Sequence, residues 1–193
     1  QVGRRLLDPH DLTVSAGGSD PIPLGFNDGG AASDATIDPL NLQSQLGTSD
    51  VTLYANNDIT FASSVSAASG SLILRAGRSI TVNSGVSISL TGGSFTATVN
   101  DSGASGAGRD PGFAQFRMLD GSSITTSGAM TVSAGNFDNT QTGEIVIGGL
   151  TGGATIQAGG GISLAGRFRN DTTSSIAAVE IRQGSVLTAT GNS

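Results

Sequence analysis

Cysteine, tryptophan and lysine are absent from this chain, and histidine and tyrosine each occur once among its 193 residues. Without cysteine, the chain cannot be a small disulfide-stapled domain and cannot bind a metal through thiolates. A formal net charge of -6 and nine scattered arginines argue against a nucleic-acid surface, because such a surface needs clustered basic residues that displace counterions. We therefore expect no nucleic-acid partner.

Long apolar runs are also missing. No segment approaches the roughly 18 consecutive apolar residues of a membrane-spanning helix. The N-terminus lacks the charged, apolar and small-residue series of a signal peptide. We expect a chain that does not span a membrane, and that is a mature product or a piece of a longer polypeptide.

A repeated pattern predicts the fold. Three stretches align without a gap, namely Ala55–Phe61, Ala76–Val82 and Ala158–Leu164. Each has an alanine, a polar or glycine corner, and an apolar-polar-apolar triplet, which describes two strands that turn their alternate side chains into the same interior. The first two copies are 21 positions apart, a period in the range of solenoids. The sequence predicts an all-β single-stranded parallel β-helix with coils of about 20 residues.

Successive coils are expected to stack like residues in columns. The alignment places Val51 on Leu72 and Val65 on Val86, and it predicts one dry column of Ile59, Ile80 and Ile162. This register between copies argues against disorder, which the many Gly, Ser and Thr residues would otherwise suggest. Corner glycines are expected to supply backbone conformations with positive φ; they are glycines 77, 92, 93, 159, 160 and 161.

The N-terminal part lacks the coil pattern. Residues 1–50 are predicted to be an irregular connecting or capping segment with a Gly/Pro/Asp-rich loop over 15–38. Within this segment, the sequence predicts a short strand at 12–14. It also predicts a helical turn at 39–46, where proline fits the first turn and Leu42 and Leu46 share a face.

The remaining residues, 51–193, are predicted to form the parallel β-helix. Two irregular stretches interrupt the pattern, near 100–112 and 136–142, and the first should be an exposed excursion. Between residues 51 and 99 the predicted strands are 51–55, 59–61, 72–76, 80–82, 86–90 and 95–99.

Three N-terminal stretches resemble a known family. They are Arg5-Leu-Leu-Asp-Pro-His-Asp-Leu-Thr-Val14, Leu42-Gln-Ser-Gln-Leu46 and Asp50-Val-Thr-Leu-Tyr-Ala-Asn-Asn-Asp-Ile-Thr-Phe61. Together they resemble the filamentous-haemagglutinin-like exoproteins of bacterial two-partner (type Vb) secretion. Arg5 stands where the family motif usually has tryptophan. The resemblance covers residues 4 to about 90, and the remainder only through the general coil pattern.

The resemblance implies a right-handed β-helix and a secreted protein at the bacterial cell surface. It implies a non-enzymatic structural and adhesive module that forms a rigid shaft or filament and mediates attachment. The implied partners are a host-cell or matrix receptor or glycan, identical subunits stacked end to end, and an outer-membrane secretion partner for the parent polypeptide. No secretion domain is recognisable, so we expect an internal section of a larger protein or a short relative.

Few residues suggest chemistry. A catalytic or metal role for His10 would need further ligands or a nucleophile near it, so we expect a surface or capping histidine. Asp50 with Asp58, or Asp101 with Asp110, offer oxygen ligands for a hard cation, but the glycine-aspartate repeat of calcium-binding β-rolls is absent. Glycines between 103 and 108 lack the lysine of a phosphate-binding loop. We predict no catalytic, cofactor-binding or metal-binding residue and no cofactor.

Two other functions are compatible with the predicted fold. Polysaccharide lyases and hydrolases also use parallel β-helices, and here Asp101, Arg109 and Asp110 are the only cluster for such chemistry. Sugar grooves usually contain aromatic platforms, which a chain without tryptophan and with one tyrosine lacks. An ice-binding face would rest on two threonine pairs that do not recur once per coil; they are Thr96/Thr98 and Thr188/Thr190.

Overall fold

The computed structural model describes residues 9–20, 26, 34–105, 108–135, 143–167 and 178–191. These residues form 17 strands and one short helix. The elements are β1 (Leu12–Val14), β2 (Ala35–Ile37), α1 (Pro39–Leu46), β3 (Val51–Ala55), β4 (Ile59–Phe61), β5 (Val65–Ala67), β6 (Leu72–Ala76), β7 (Ile80–Val82), β8 (Ser87–Leu90), β9 (Phe95–Val99), β10 (Ala114–Met118), β11 (Ser123–Thr126), β12 (Met130–Ala134), β13 (Gly143–Ile147), β14 (Thr155–Ala158), β15 (Ile162–Ala165), β16 (Val179–Ile181) and β17 (Val186–Ala189).

Three sheets contain these strands, and every pairing between the strands is parallel. Sheet I has the order β2-β1-β4-β7-β10-β13-β16, sheet II the order β5-β8-β11-β14-β17, and sheet III the order β3-β6-β9-β12-β15. From β3 onward the chain visits sheets III, I and II in turn, and each strand pairs with the strand three later. The prediction of an all-β parallel fold is confirmed.

The core is one continuous cluster of apolar side chains between the sheets. In sheet I, Ile59 pairs with Ile80 and Ile80 with Phe116, and all three are fully buried. In sheet III, Leu72 lies between Val51 and Phe95. Apolar residues at equivalent positions of neighbouring strands therefore stack on one another, as the alternation of apolar and polar residues predicts.

The predicted isoleucine column is wrong at its third member. Ile162 lies in sheet III beside Met130, whereas Ile59 and Ile80 lie in sheet I. The motif around Ile162 matches those around Ile59 and Ile80 because an apolar triplet follows a polar or glycine corner at more than one turn of the chain. The pattern therefore does not show which two sheets a corner connects. Val65 likewise pairs with Ile88 and not with Val86.

Corner glycines serve a different purpose from the predicted one. Positive φ occurs at other positions; these glycines are 17, 70, 85, 112, 121, 148 and 184. Gly77 and Gly93 instead lie where neighbouring coils touch. A Cβ atom on Gly77 would lie 2.0 Å from the carbonyl oxygen of Asn56, and one on Gly93 would lie 1.9 Å from that of Gly70. These corners need glycine because a side chain would push the coils apart.

A helix and an extra strand cover one end of the sheets. The predicted strand at 12–14 and helical turn at 39–46 are confirmed as β1 and α1. The predicted loop over 15–38, however, contains β2, which adds to the edge of sheet I beside β1. Helix α1 buries Leu42 and Leu46 and packs on β3 and β5, the first strands of sheets III and II.

The outward backbone groups of β2 are not left open. The Thr36 amide donates to the carboxylate of Asp20 (2.7 Å), and the Asp20 amide donates to the Thr36 carbonyl (3.1 Å). Asp20 thus occupies the positions that another strand would use, which is a common way to protect a sheet edge.

The opposite end has a different character. Strands β15, β16 and β17 are the last strands of the three sheets. Their apolar side chains are partly exposed, with Ile181 at 53% and Val186 at 51%. The two ends of the sheets are therefore chemically unequal.

The first excursion is exposed in part, at residues 102–103 and 110–112, but it also buries residues that the prediction left exposed. Asn100 and Asp101 are buried, and Ala104 is only 7% exposed. This segment lies against the corner between sheets III and I, where the Ser105 amide donates to Asn56 Oδ1 (2.8 Å). A hydrogen bond to a buried asparagine holds this turn against the sheets, and the local composition does not reveal such a contact. The second predicted excursion, 136–142, lies outside the described residues.

Ile80 provides a test of the inward register. Ile80→Asp places an unpaired carboxylate between Ile59 and Phe116, and we expect a loss of more than about 3 kcal/mol in the free energy of unfolding. Thr81→Asp is the matched control, because Thr81 is the neighbouring residue and is partly exposed. Urea unfolding followed by circular dichroism measures both. Equal midpoints for the two variants would contradict the assignment.

Candidate functional site

A cluster of polar residues lies at the corner between sheets III and I. Three separate segments meet there, namely the turn before β1, the residue before β2, and the excursion at 100–112. Asn57, on the corner between β3 and β4, is fully buried. Its Nδ2 donates to Asp11 Oδ1 (2.8 Å) and Asp110 Oδ2 (3.2 Å), and its Oδ1 accepts from the Asp110 amide (3.2 Å). Asn57 therefore holds two carboxylates from distant segments side by side.

His10 lies among three carboxylates. Its Nδ1 is 3.4 Å from Asp11 Oδ2 and 3.5 Å from Asp34 Oδ1, and its Nε2 is 3.4 Å from Asp110 Oδ1. Partial burial opposes protonation, but the charges of Asp11 and Asp110 and hydrogen bonds to Asp110 and Asp34 together outweigh it, so the pKa of His10 is raised. His10 thus joins all three segments of this corner.

An arginine offsets one further carboxylate at the same corner. Arg78 binds both oxygens of Asp58, at 2.9 Å and 2.6 Å, and its Nη1 donates to the Pro111 carbonyl (3.2 Å). The hydrogen bond to Asp58 is the main reason that the pKa of Arg78 is raised, against the effect of partial burial. Arg78 thus pairs mainly with Asp58, and its Nη1 also lies 3.9 Å from Asp110 Oδ2.

A second ion pair anchors the start of the excursion. Asp101, with a side chain only 4% exposed, accepts from Arg75 Nε (2.7 Å) and Arg75 Nη2 (2.8 Å). The Arg75 guanidinium lies 5.3 Å from the ring centre of Phe26 and 5.7 Å from that of Tyr54. The two rings meet edge to face at 5.2 Å. This cluster ties Asp101 of the excursion, and Phe26, to sheet III.

The carboxylate pairs named from the sequence do not act as pairs. Asp50 accepts from the Ser71 amide (2.7 Å), whereas Asp58 binds Arg78. Asp101 binds Arg75, and Asp110 faces His10. Within the described residues, the one group of three or more potential metal ligands is His10, Asp11 and Asp34.

Two members of the lyase cluster bind structural partners, Asp101 through Arg75 and Arg109 through the backbone, and the threonine pairs lie in different sheets. Arg109 donates to the Gly77 carbonyl and thereby holds the excursion against the corner. Thr96 lies in sheet III beside Thr131, whereas Thr188 lies in sheet II beside Gln157. The threonines therefore do not share one face.

The contribution of Asp34 to the corner was missed in the sequence. Asp34 lies 24 positions after His10 in a Gly/Asp/Ser-rich stretch. No local spacing signals the contact, because the return of the chain from β1 to β2 creates it.

A groove of about 560 Å³ lies near the opposite end, between the turns that follow β13 and β16. Its lining includes Leu150, Glu180, Arg182 and Gln183. The adjoining Asp120 carboxylate accepts from Thr151 Oγ1 (2.6 Å) and the Gly152 amide (2.9 Å). Chiefly because of the Thr151 hydrogen bond, the pKa of Asp120 is lowered.

No family model, no curated protein and no solved structure matches this chain. Across the described residues, no helix has the length and apolar character needed to cross a membrane. The fold defines the class of the chain as an all-β protein of three parallel sheets. Its function has to be inferred from the geometry described above.

The lowered pKa of Asp120 predicts a pH dependence. A carboxylate with a lower pKa in the folded state stabilises the fold above its unfolded pKa, near 4, and loses this contribution as the pH falls through the folded value. We expect Asp120→Asn to melt below wild type at pH 7, with the difference shrinking below about pH 4. Thermal melts of both proteins from pH 7 to pH 2.5 measure this. A constant difference across that range would contradict the assigned role of the Asp120 charge.

Proposed function

We propose that this chain is a section of a right-handed parallel β-helix that works as a non-enzymatic structural and adhesive module of a large secreted bacterial surface protein. The observation that carries the proposal is the parallel pairing of each strand with the strand three later, in all three sheets. Such pairing builds a stiff rod in which backbone hydrogen bonds run along the length. The handedness, the location at the cell surface and the outer-membrane secretion partner of the parent polypeptide follow from the resemblance of the N-terminal stretches.

The corner between sheets III and I supports a binding role. The excursion at 100–112 is fixed to the rod through Asn56, Asn57 and Arg75, so its exposed residues keep a defined position. A loop held on a rigid scaffold is the usual arrangement for recognition. We propose that this face contacts a host-cell or matrix receptor or glycan.

Two of the three residues that a polysaccharide lyase or hydrolase would use here, Asp101 and Arg109, have structural partners instead. Catalysis of that kind needs two carboxylates, or a carboxylate and a base, that face one groove. Asp101 and Arg109 instead hold the excursion in place, the first through Arg75 and the second through the Gly77 carbonyl. Both groups thus serve the structure of the loop.

The unequal ends support a second part of the proposal, which is addition of further coils or identical subunits. Strands β15, β16 and β17 offer sheet edges with half-exposed apolar residues, whereas α1 and Asp20 cover the other end. Edges of this kind accept another strand readily. Growth of the rod would then take place at the end formed by β15, β16 and β17.

Binding and turnover can be separated directly. We expect the purified protein to bind a subset of glycans or matrix proteins saturably on an array, and to release no new reducing ends or unsaturated products from any of the polysaccharides. The Ile80→Asp protein controls for binding that does not need the fold. Turnover of a polysaccharide would favour the enzyme, and no saturable binding to any ligand would remove the adhesive role.

Association at the open end can be tested by charge. We expect the weight-average mass of wild type in sedimentation equilibrium to rise with protein concentration. Ile181→Lys and Val186→Lys should raise the dissociation constant of this association by about tenfold or more. Leu40→Lys is the control, because Leu40 is 72% exposed on α1 at the covered end. A monomeric wild type at high concentration, or an equal effect of Leu40→Lys, would overturn stacking through β15, β16 and β17.

A further inference from the structure

The cluster of His10, Asp11 and Asp34 has the geometry of a transition-metal site. The ligand atoms of the three residues all lie within 4.8 Å of one another. His10 Nδ1 is 3.4 Å from Asp11 Oδ2 and 3.5 Å from Asp34 Oδ1. A tetrahedral ion with bonds of about 2.1 Å to nitrogen and oxygen places neighbouring ligand atoms about 3.4 Å apart. The two distances from Nδ1 match this spacing, and the two carboxylate oxygens lie within 4.8 Å of each other.

The second nitrogen of His10 faces a carboxylate, as the second nitrogen of a metal-binding histidine usually does. Nε2 lies 3.4 Å from Asp110 Oδ1, and the other oxygen of Asp110 accepts from buried Asn57. A histidine that donates its second N–H to a carboxylate keeps its ring orientation and presents the lone pair of the opposite nitrogen. Asp110 therefore directs Nδ1 toward Asp11 and Asp34.

Both carboxylates of the cluster also accept hydrogen bonds, Asp11 through its second oxygen and Asp34 through the oxygen that faces His10. Asp11 Oδ1 accepts from Asn57 Nδ2 (2.8 Å) and the Asp58 amide (3.0 Å), which turns Oδ2 toward His10. Asp34 Oδ1 accepts from the Asp11 amide (3.3 Å). Each ligand thus has a partner that fixes its position, and the partners lie on three different segments of the chain.

The charge of the corner favours a divalent cation. Asp58 is paired with Arg78, whereas Asp11, Asp34 and Asp110 all face His10, and Asp110 lies 3.9 Å from Arg78. A bound ion of charge +2 would offset this excess, and it would do so at the point where the three carboxylates converge.

We propose that His10, Asp11 and Asp34 bind a zinc-class divalent ion, with Asp110 as the carboxylate that orients His10. An imidazole nitrogen in the ligand set favours zinc and its neighbours over calcium and magnesium, which prefer oxygen alone. Three protein ligands leave the fourth position to water or to an oxygen of a bound partner. The ion would join the starts of β1 and β2 and, through Asp110, the excursion. This proposal does not depend on the adhesive function.

The test is titration of untagged protein with zinc by calorimetry, together with cobalt as a spectroscopic probe. We expect one zinc per chain, the visible absorption of tetrahedral cobalt, and a melting temperature that rises with zinc and returns with EDTA. His10→Gln and Asp34→Asn should weaken zinc binding at least about tenfold, and Asp110→Asn by about 10- to 100-fold.

Asp50→Asn is the matched control, because Asp50, like Asp34, is an exposed carboxylate that accepts one backbone N–H. It should bind zinc as wild type does. The proposal is overturned if wild type shows no saturable zinc binding, or if Asp34→Asn binds zinc as tightly as Asp50→Asn. Asp34 is 74% exposed, so Asp34→Asn remains informative even if His10→Gln does not fold.

Discussion

Hydrogen bonding between strands three apart in the chain is the constraint on which the rest of this structure depends. Because the pairing is parallel and in register, each inward residue lies above an inward residue of the preceding coil, as Ile80 does on Ile59. Coils can keep this spacing only where their corners also approach closely. Gly77 and Gly93 meet that requirement, since a Cβ atom at either would collide with a carbonyl oxygen of the neighbouring coil.

The same pairing makes the ends of the sheets the points where stability and assembly are decided. At one end, Asp20 bonds both outward backbone groups of Thr36, and α1 covers the first strands of the other two sheets. At the other end, β15, β16 and β17 carry half-exposed apolar residues. The strands at the two ends of the sheets therefore differ in how well their edges are covered.

The corner between sheets III and I shows how stacked parallel sheets acquire a distinctive surface. The coil supplies Asn57 and Asp58, the turn before β1 supplies His10 and Asp11, and the excursion supplies Asp110. None of these residues is unusual alone. Their value lies in convergence, because a buried asparagine and a histidine hold like charges closer together than solvated side chains would stay.

Alternation of apolar and polar residues was sufficient to predict most of the strands, the parallel class, β1 and α1, because these features follow from which side chains face inward. It was insufficient to place Ile162 in the correct sheet, since similar motifs occur at different corners. It was also insufficient to predict β2, which lies within a stretch rich in glycine and aspartate. The candidate site was harder still. His10 was visible as the one histidine, but Asp34 and Asp110 reach it only through the return to β2 and the folding of the excursion. The sequence by itself determined the repeating core, whereas the tertiary structure alone decided which charged residues meet, because contacts between distant segments leave no local periodicity.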